Sequence, residues 1–139
     1  NNQFSYELID DSLSFNSNRD GVDISGSTIE FEGNNFVNFS DKAISIGEQS
    51  IAYIHKNSFY KNNNAIVVKD GSISYSLFNY FENNNYDYNL FVKKPFYSEP
   101  KLYLLEISND IKSVINNGEI QIKSLNEMNH EFERINWEL

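Results

Sequence analysis

The chain has 139 residues, no cysteine and a formal net charge of -9. That length suffices for one domain burying roughly two-thirds of its unfolded surface; the acidic balance disfavours nucleic acid or an anionic membrane surface as a partner, and the missing thiols exclude disulfides and thiolate chemistry. With 40% hydrophobic residues, 15% aromatic residues and only two prolines, the chain is expected to fold, and no apolar run approaches the roughly 20 residues of a membrane-spanning helix.

The chain starts at Asn1 without a methionine or a basic-then-apolar signal pattern, which reads as a fragment or a processed product. Residues 1–19 hold one incomplete unit, in which Leu13 to Asn18 loosely match Asn57 to Asn62 at a distance of 44 residues. The clear repeat has a step of 22: Ile44, Ile46, Ser50, Ile51, Tyr53, Asn57, Phe59 and Asn62 return as Ile66, Val68, Ser72, Ile73, Tyr75, Asn79, Phe81 and Asn84. Upstream, Val22, Ile24, Ile29 and Phe31 lie 22 residues before Ile44, Ile46, Ile51 and Tyr53, whereas Asn34 and Phe36 lie 23 before Asn57 and Phe59. One residue is therefore inserted in a turn.

Each unit contains three short runs with apolar residues at alternate positions, divided by Gly, Ser, Asp and Asn. This pattern predicts three strands per unit, with turns between them. A constant register is explained if each unit is one coil of a solenoid whose strands bond to their copies about 4.8 Å along the axis. The expected inward columns are Val22, Ile44, Ile66; Ile24, Ile46, Val68; Ile29, Ile51, Ile73; Phe31, Tyr53, Tyr75; and Phe36, Phe59, Phe81. Of 22 asparagines, Asn34, Asn57 and Asn79 share a repeat position, which predicts a structural ladder of amides.

These coils resemble the right-handed parallel β-helix repeats of the pectin-lyase-like superfamily. The resemblance is carried by Asp20-Gly21-Val22-Asp23-Ile24-Ser25, by Asn57-Ser58-Phe59-Tyr60-Lys61-Asn62-Asn63 and by Asn79-Tyr80-Phe81-Glu82-Asn83-Asn84, and spans residues 16–94. It implies an all-β fold of three to four coils, shared by polysaccharide lyases, hydrolases, epimerases, tailspikes, adhesins and non-catalytic surface modules.

A fourth coil is expected from Asn89-Leu90-Phe91-Val92-Lys93, which match Ala65 to Lys69 at a step of 24 and so place a longer turn at Tyr86 to Tyr88. Pro95 and Pro100 should end regular pairing. Beyond them the pattern predicts strands at 101–107 and 119–123, a short helix at 110–117 ended by Gly118, and a helix at 125–137. Ser124 and Glu127 supply a capping box for the last helix, with Leu125, Met128, Phe132 and Ile135 along one stripe. The expected division is a β-helix over residues 1–100 and an α/β segment over 101–139 that caps the open end.

Candidate chemistry is sparse. His55 and His130 are the only histidines and have no second His or Cys at ligand spacing, so they read as surface residues and no metal or cofactor site is expected. In lyases of the resembled family, groove carboxylates hold Ca²⁺ and an Arg or Lys acts as base. Asp23, Glu48, Lys69, Asp70 and Lys93 could share such a face, but no outward column places paired carboxylates in adjacent coils, and no catalytic residue is assigned. Tyr60, Tyr80, Tyr86 and Tyr88 fall away from the inward columns or in the longer turn, and Tyr80, Tyr86 and Tyr88 are the binding candidates, as platforms for sugar rings or protein partners. The expected function is a non-catalytic structural or recognition module of a larger bacterial extracellular or envelope protein, with carbohydrate or another protein as partner. The alternatives are the tail of a β-helix lyase, epimerase or hydrolase whose active coils lie upstream, and an oligomeric tailspike or adhesin.

Overall fold

The computed structural model describes residues 2–5, 20–105, 111–115 and 117–138. After β1 (Gln3–Ser5), the first full coil is β2 (Val22–Ser25), β3 (Thr28–Glu32) and β4 (Asn35–Val37). The second is β5 (Lys42–Gly47), β6 (Ile51–His55) and β7 (Ser58–Tyr60), and the third β8 (Asn64–Lys69), β9 (Ile73–Leu77) and β10 (Tyr80–Glu82). Then come β11 (Tyr86–Phe91), β12 (Lys101–Leu105), β13 (Ser113–Ile115), β14 (Glu119–Lys123) and α1 (Leu125–Glu138). The strands form three sheets with the orders β1-β4-β7-β10, β13-β11-β8-β5-β2 and β14-β12-β9-β6-β3, every pair parallel. Strands too short to bury a face alone become stable by stacking on their copies, and the result is a parallel β-solenoid of about four turns with one C-terminal helix.

In the sheet that contains β2 and β5, Val22, Ile44, Ile66 and Tyr88 form one column, and Ile24, Ile46, Val68 and Leu90 another. The step of 22 runs unbroken into β11, so the expected 24-residue step and its longer turn do not occur. Tyr88, not Leu90, takes the place of Ile66. In the sheet that contains β4 and β7, Phe36, Phe59 and Phe81 stack with ring centroids 5.0 and 5.1 Å apart.

The third sheet departs from the expected register. Thr28 faces Ile51, and Ile29 faces Ala52, because the turn at Gly26 and Ser27 is one residue shorter than its copy at Glu48, Gln49 and Ser50. A shift by one residue reverses the faces of a strand. The inward columns are therefore Ile29, Ala52, Ser74, Leu102 and Phe31, Ile54, Ser76, Leu104, while Ile51, Tyr53, Ile73 and Tyr75 point outward. Ser74 and Ser76 are small where the coil before has Ala52 and Ile54. The Tyr88 ring enters the core from the neighbouring sheet, and its hydroxyl lies 2.6 Å from Ser76 Oγ. Volume lost in one column is replaced from another, as close packing requires.

Side-chain ladders close all three corners of the coil, where only the asparagine column was expected. Ser27 N and Ser50 N donate to the next coil's Ser50 Oγ and Ser72 Oγ, both at 3.1 Å. Asn34 N and Asn57 N donate to Asn57 Oδ1 and Asn79 Oδ1 at 2.9 and 3.0 Å. Phe39 N and Asn62 N donate to Asn62 Oδ1 and Asn84 Oδ1 at 3.0 and 2.9 Å. Each turn thus gives a backbone donor, otherwise orphaned at the end of its strand, to a side chain one coil on. The chain reaches these ladders through left-handed residues: Gly33, Lys56 and Phe78 before the first asparagine column, Lys61 and Asn83 before the second.

Regular pairing also continues beyond the two prolines. Ile73 pairs with Lys101, 28 residues on, so the prolines occupy a loop of six extra residues and the ladder resumes after it. The segment expected as a helix at 110–117 contains β13, which pairs with Tyr88, Asn89 and Leu90 of β11. A helix that short would be marginal on its own, and an open strand edge offers better backbone partners. Gly118 is not a helix cap but packs against the fourth coil, where a Cβ would crowd Leu90 Cβ at 3.0 Å and Pro100 Cγ at 3.1 Å. The described side chains of α1 pack on the side of the solenoid. Met128 is buried against Leu77 and Leu105, and the Phe132 ring meets Tyr53 and His55 edge-on at 5.5 and 4.9 Å. The helix therefore runs back along the outer face of the third sheet, covering Tyr53, Tyr75 and Tyr103, whose rings stack at 5.0 and 4.9 Å. No helix among the described residues is long and apolar enough to cross a membrane.

Candidate binding site

The candidate tyrosines separate. Tyr88 is 2% exposed and belongs to the core, so the expectation that it stands on the surface is overturned. Burial raises the pKa of its hydroxyl, with the bond to Ser76 opposing the shift. Tyr86 is exposed at the start of β11. Tyr80 is 59% exposed on β10, where its hydroxyl donates to Glu82 Oε2 at 3.2 Å, a bond that raises its pKa. Tyr80 and Tyr88 line one cavity of about 390 Å³ together with Ser76, Phe78, Phe81 and Leu104. In that wall Tyr88 is fixed by packing, while Phe78 and Tyr80 form an exposed aromatic rim.

The acidic face proposed for lyase chemistry is committed to structural pairs. Asp70 is buried and accepts from the backbone N of Lys93 at 2.7 Å and of Lys94 at 2.9 Å. Glu48 accepts from Ser25 Oγ at 2.5 Å and from Lys94 Nζ, and these bonds, the Lys94 one foremost, hold its carboxyl below the usual glutamate range. Lys69 crosses over Gly47 and reaches Asp23 Oδ1 at 3.9 Å. Lys93 does not continue that column, because Phe91 pairs with Lys69. Groups held in this way close turns and bridge coils.

A different cluster lies on the outer face of the third sheet. Glu30 and Glu32 both point outward from β3, and Glu32 is the register partner of His55 on β6. The His55 Nε2 lies 2.7 Å from Glu30 Oε1, and Nδ1 lies 3.9 Å from Glu32 Oε1. The imidazole side chain is only 11% exposed because the Phe132 ring stands over it. Lys56 Nζ approaches Glu32 Oε1 at 3.2 Å from solvent. Beside the cluster opens a cavity of about 360 Å³, bordered by Leu77, Phe78, Asn129 and Phe132. His55 thus ends a strand beneath a helix, where a surface turn was expected. His130 is exposed on α1.

These features define the chain as a parallel β-solenoid with a laterally docked helix. Comparison with protein-family models, with curated proteins and with solved structures finds no match to it.

Proposed function

We propose that the chain is a non-catalytic structural and recognition module of a larger bacterial extracellular or envelope protein, that its coils are of the right-handed, pectin-lyase-like kind, and that it binds carbohydrate through the rim formed by Phe78 and Tyr80. The observation that carries the reading is the division of labour on the surface. The carboxylates of the acidic face are engaged by backbone N–H groups, Ser25 and lysines, whereas the aromatic rim around the 390 Å³ cavity is open to solvent. Exposed aromatic faces with a polar handle suit sugar rings, whose C–H groups stack while their hydroxyls bond to the handle. The amide ladders support the likeness of the coils, and the extracellular setting follows from that likeness.

The intact chain should be retarded by at least one polysaccharide in affinity electrophoresis against a panel of acidic and neutral glycans. Tyr80→Ala should weaken that affinity about tenfold, equivalent to about 1.4 kcal/mol. Retention by no glycan, or equal retention of Tyr80→Ala, would refute glycan recognition at this rim.

A further inference from the structure

We propose that Glu30, Glu32 and His55 form a binding site for one divalent transition-metal ion of the zinc type, on the outer face of the solenoid under the edge of α1. One carboxylate oxygen from each glutamate and one ring nitrogen of His55 lie within 4.8 Å of one another. The backbone brings them together. Alternate residues of β3 point the same way, and the parallel register sets His55 directly beside Glu32, one coil on. The site is therefore built on two hydrogen-bonded strands of a sheet and not on a loop, which fixes the starting points of all three side chains.

The geometry suits a small ion. Metal–nitrogen and metal–oxygen bonds of about 2.0–2.2 Å place tetrahedral ligand atoms roughly 3.3 Å apart. One atom from each residue already lies within 4.8 Å of the others; the 2.7 Å contact is made by His55 Nε2 and the 3.9 Å contact by Nδ1, so one ring nitrogen serves both glutamates once their partly exposed side chains swing toward it. Two carboxylates balance a dipositive charge, and an imidazole favours a borderline metal such as Zn²⁺ over the hard cations Ca²⁺ and Mg²⁺. Three protein ligands leave a fourth position for water, and Glu30, Glu32 and His55 all line the adjoining 360 Å³ cavity that would supply it. Phe132 shields one side of the imidazole and restricts its rotation, while Lys56 is a cation that leans on Glu32 and must withdraw.

Lys56 gives the proposal its sharpest test, because it is 61% exposed and its loss should not disturb the fold. The intact chain, stripped with chelator, is titrated with ZnCl₂ by calorimetry, alongside Lys56→Gln, His55→Gln and Glu30→Gln. The expected result is one Zn²⁺ per chain, bound several-fold more tightly by Lys56→Gln and at least about tenfold more weakly by His55→Gln and Glu30→Gln. Circular dichroism of each variant accompanies the titration. Equal binding by His55→Gln and the parent would overturn the site, assigning the ion to other carboxylates of this acidic chain. So would an absence of saturable binding in the parent, or Zn²⁺ affinity in Lys56→Gln no greater than in the parent.

Discussion

Tyr88 shows at the scale of one residue how the core reconciles an exact repeat with unequal side chains. It stands in the Ile44 and Ile66 column, yet carries a hydroxyl that must be satisfied in the interior, and Ser76 supplies the partner at 2.6 Å. Ser76 also accepts from Asn79 Nδ2 at 2.8 Å, which ties the tyrosine to the corner ladder. Tyr88→Phe should therefore cost about 1 kcal/mol at pH 7, the net worth of one buried hydrogen bond, since Ser76 keeps its other partner. The pH dependence has a definite sign. The folded-state pKa lies above the ordinary value of 10.0, so the unfolded chain ionises first, and the contribution present below pH 10 is lost as pH rises beyond it. Guanidinium melts at pH 7 and pH 11 should show a smaller alkaline loss for Tyr88→Phe than for the parent; an equal loss would mean that Tyr88 ionises as readily folded as unfolded. The sequence could not place this residue, because a tyrosine where earlier coils have isoleucine looks like the end of the pattern rather than its continuation.

At the scale of elements, α1 is the piece whose existence was readable and whose position was not. Ser124 Oγ accepts from Glu127 N at 3.3 Å and donates to Glu127 Oε1 at 3.2 Å, so the capping pair that marked the helix start does hold it. The docking depends instead on Met128 against Leu77 and Leu105 and on Phe132 over Tyr53 and His55, contacts between positions far apart in sequence. Eight residues from Ser124 to Phe132 rise about 12 Å, against about 14 Å for the three coil steps from β14 back to β6. That agreement is why the helix can run antiparallel to the growth of the solenoid. Met128→Ala removes the one fully buried contact of the described helix side chains and should cost about 2–5 kcal/mol of docking free energy. Amide exchange in α1 should then accelerate strongly, while β6 and β9 stay protected; equal acceleration in those strands would show that the helix and the sheet open together. The third-sheet register was unreadable for a related reason. Ile51, Ala52, Tyr53 and Ile54 are all apolar because both faces of β6 are covered, one by the core and one by α1, and a period of two cannot choose between them. The Glu30, Glu32 and His55 cluster disappeared with that register, since only the one-residue difference at Gly26 and Ser27 sets Glu32 beside His55.

Across the whole molecule, the step of 22 was legible because three independent corner ladders and the inward columns demand the same coil length. One extra residue is absorbed in a corner turn without loss of a ladder, as the spacing of 23 in the Ser27–Ser50, Asn34–Asn57 and Phe39–Asn62 bonds shows. The fourth coil carries six extra residues, prolines included, in a loop outside the sheets. Such a solenoid is held by contacts between neighbouring coils, so its stability is nearly a sum of coil terms and coil interfaces. Phe59 lies at the middle of this arrangement, fully buried and stacked between Phe36 and Phe81 with interplanar angles of 6° and 10°. Phe59→Ala opens a cavity that touches both interfaces at once. The expected loss is about 3–5 kcal/mol, the usual range for a buried phenylalanine, and it should fall on coupling as well as on stability. Denaturant unfolding followed by both circular dichroism and amide exchange should remain one transition in the parent and separate into two in Phe59→Ala, with the coils on either side of β7 opening at different concentrations. A single transition merely displaced to lower denaturant would instead mean that the five-stranded sheets, which bypass the phenylalanine column, carry the coupling by themselves.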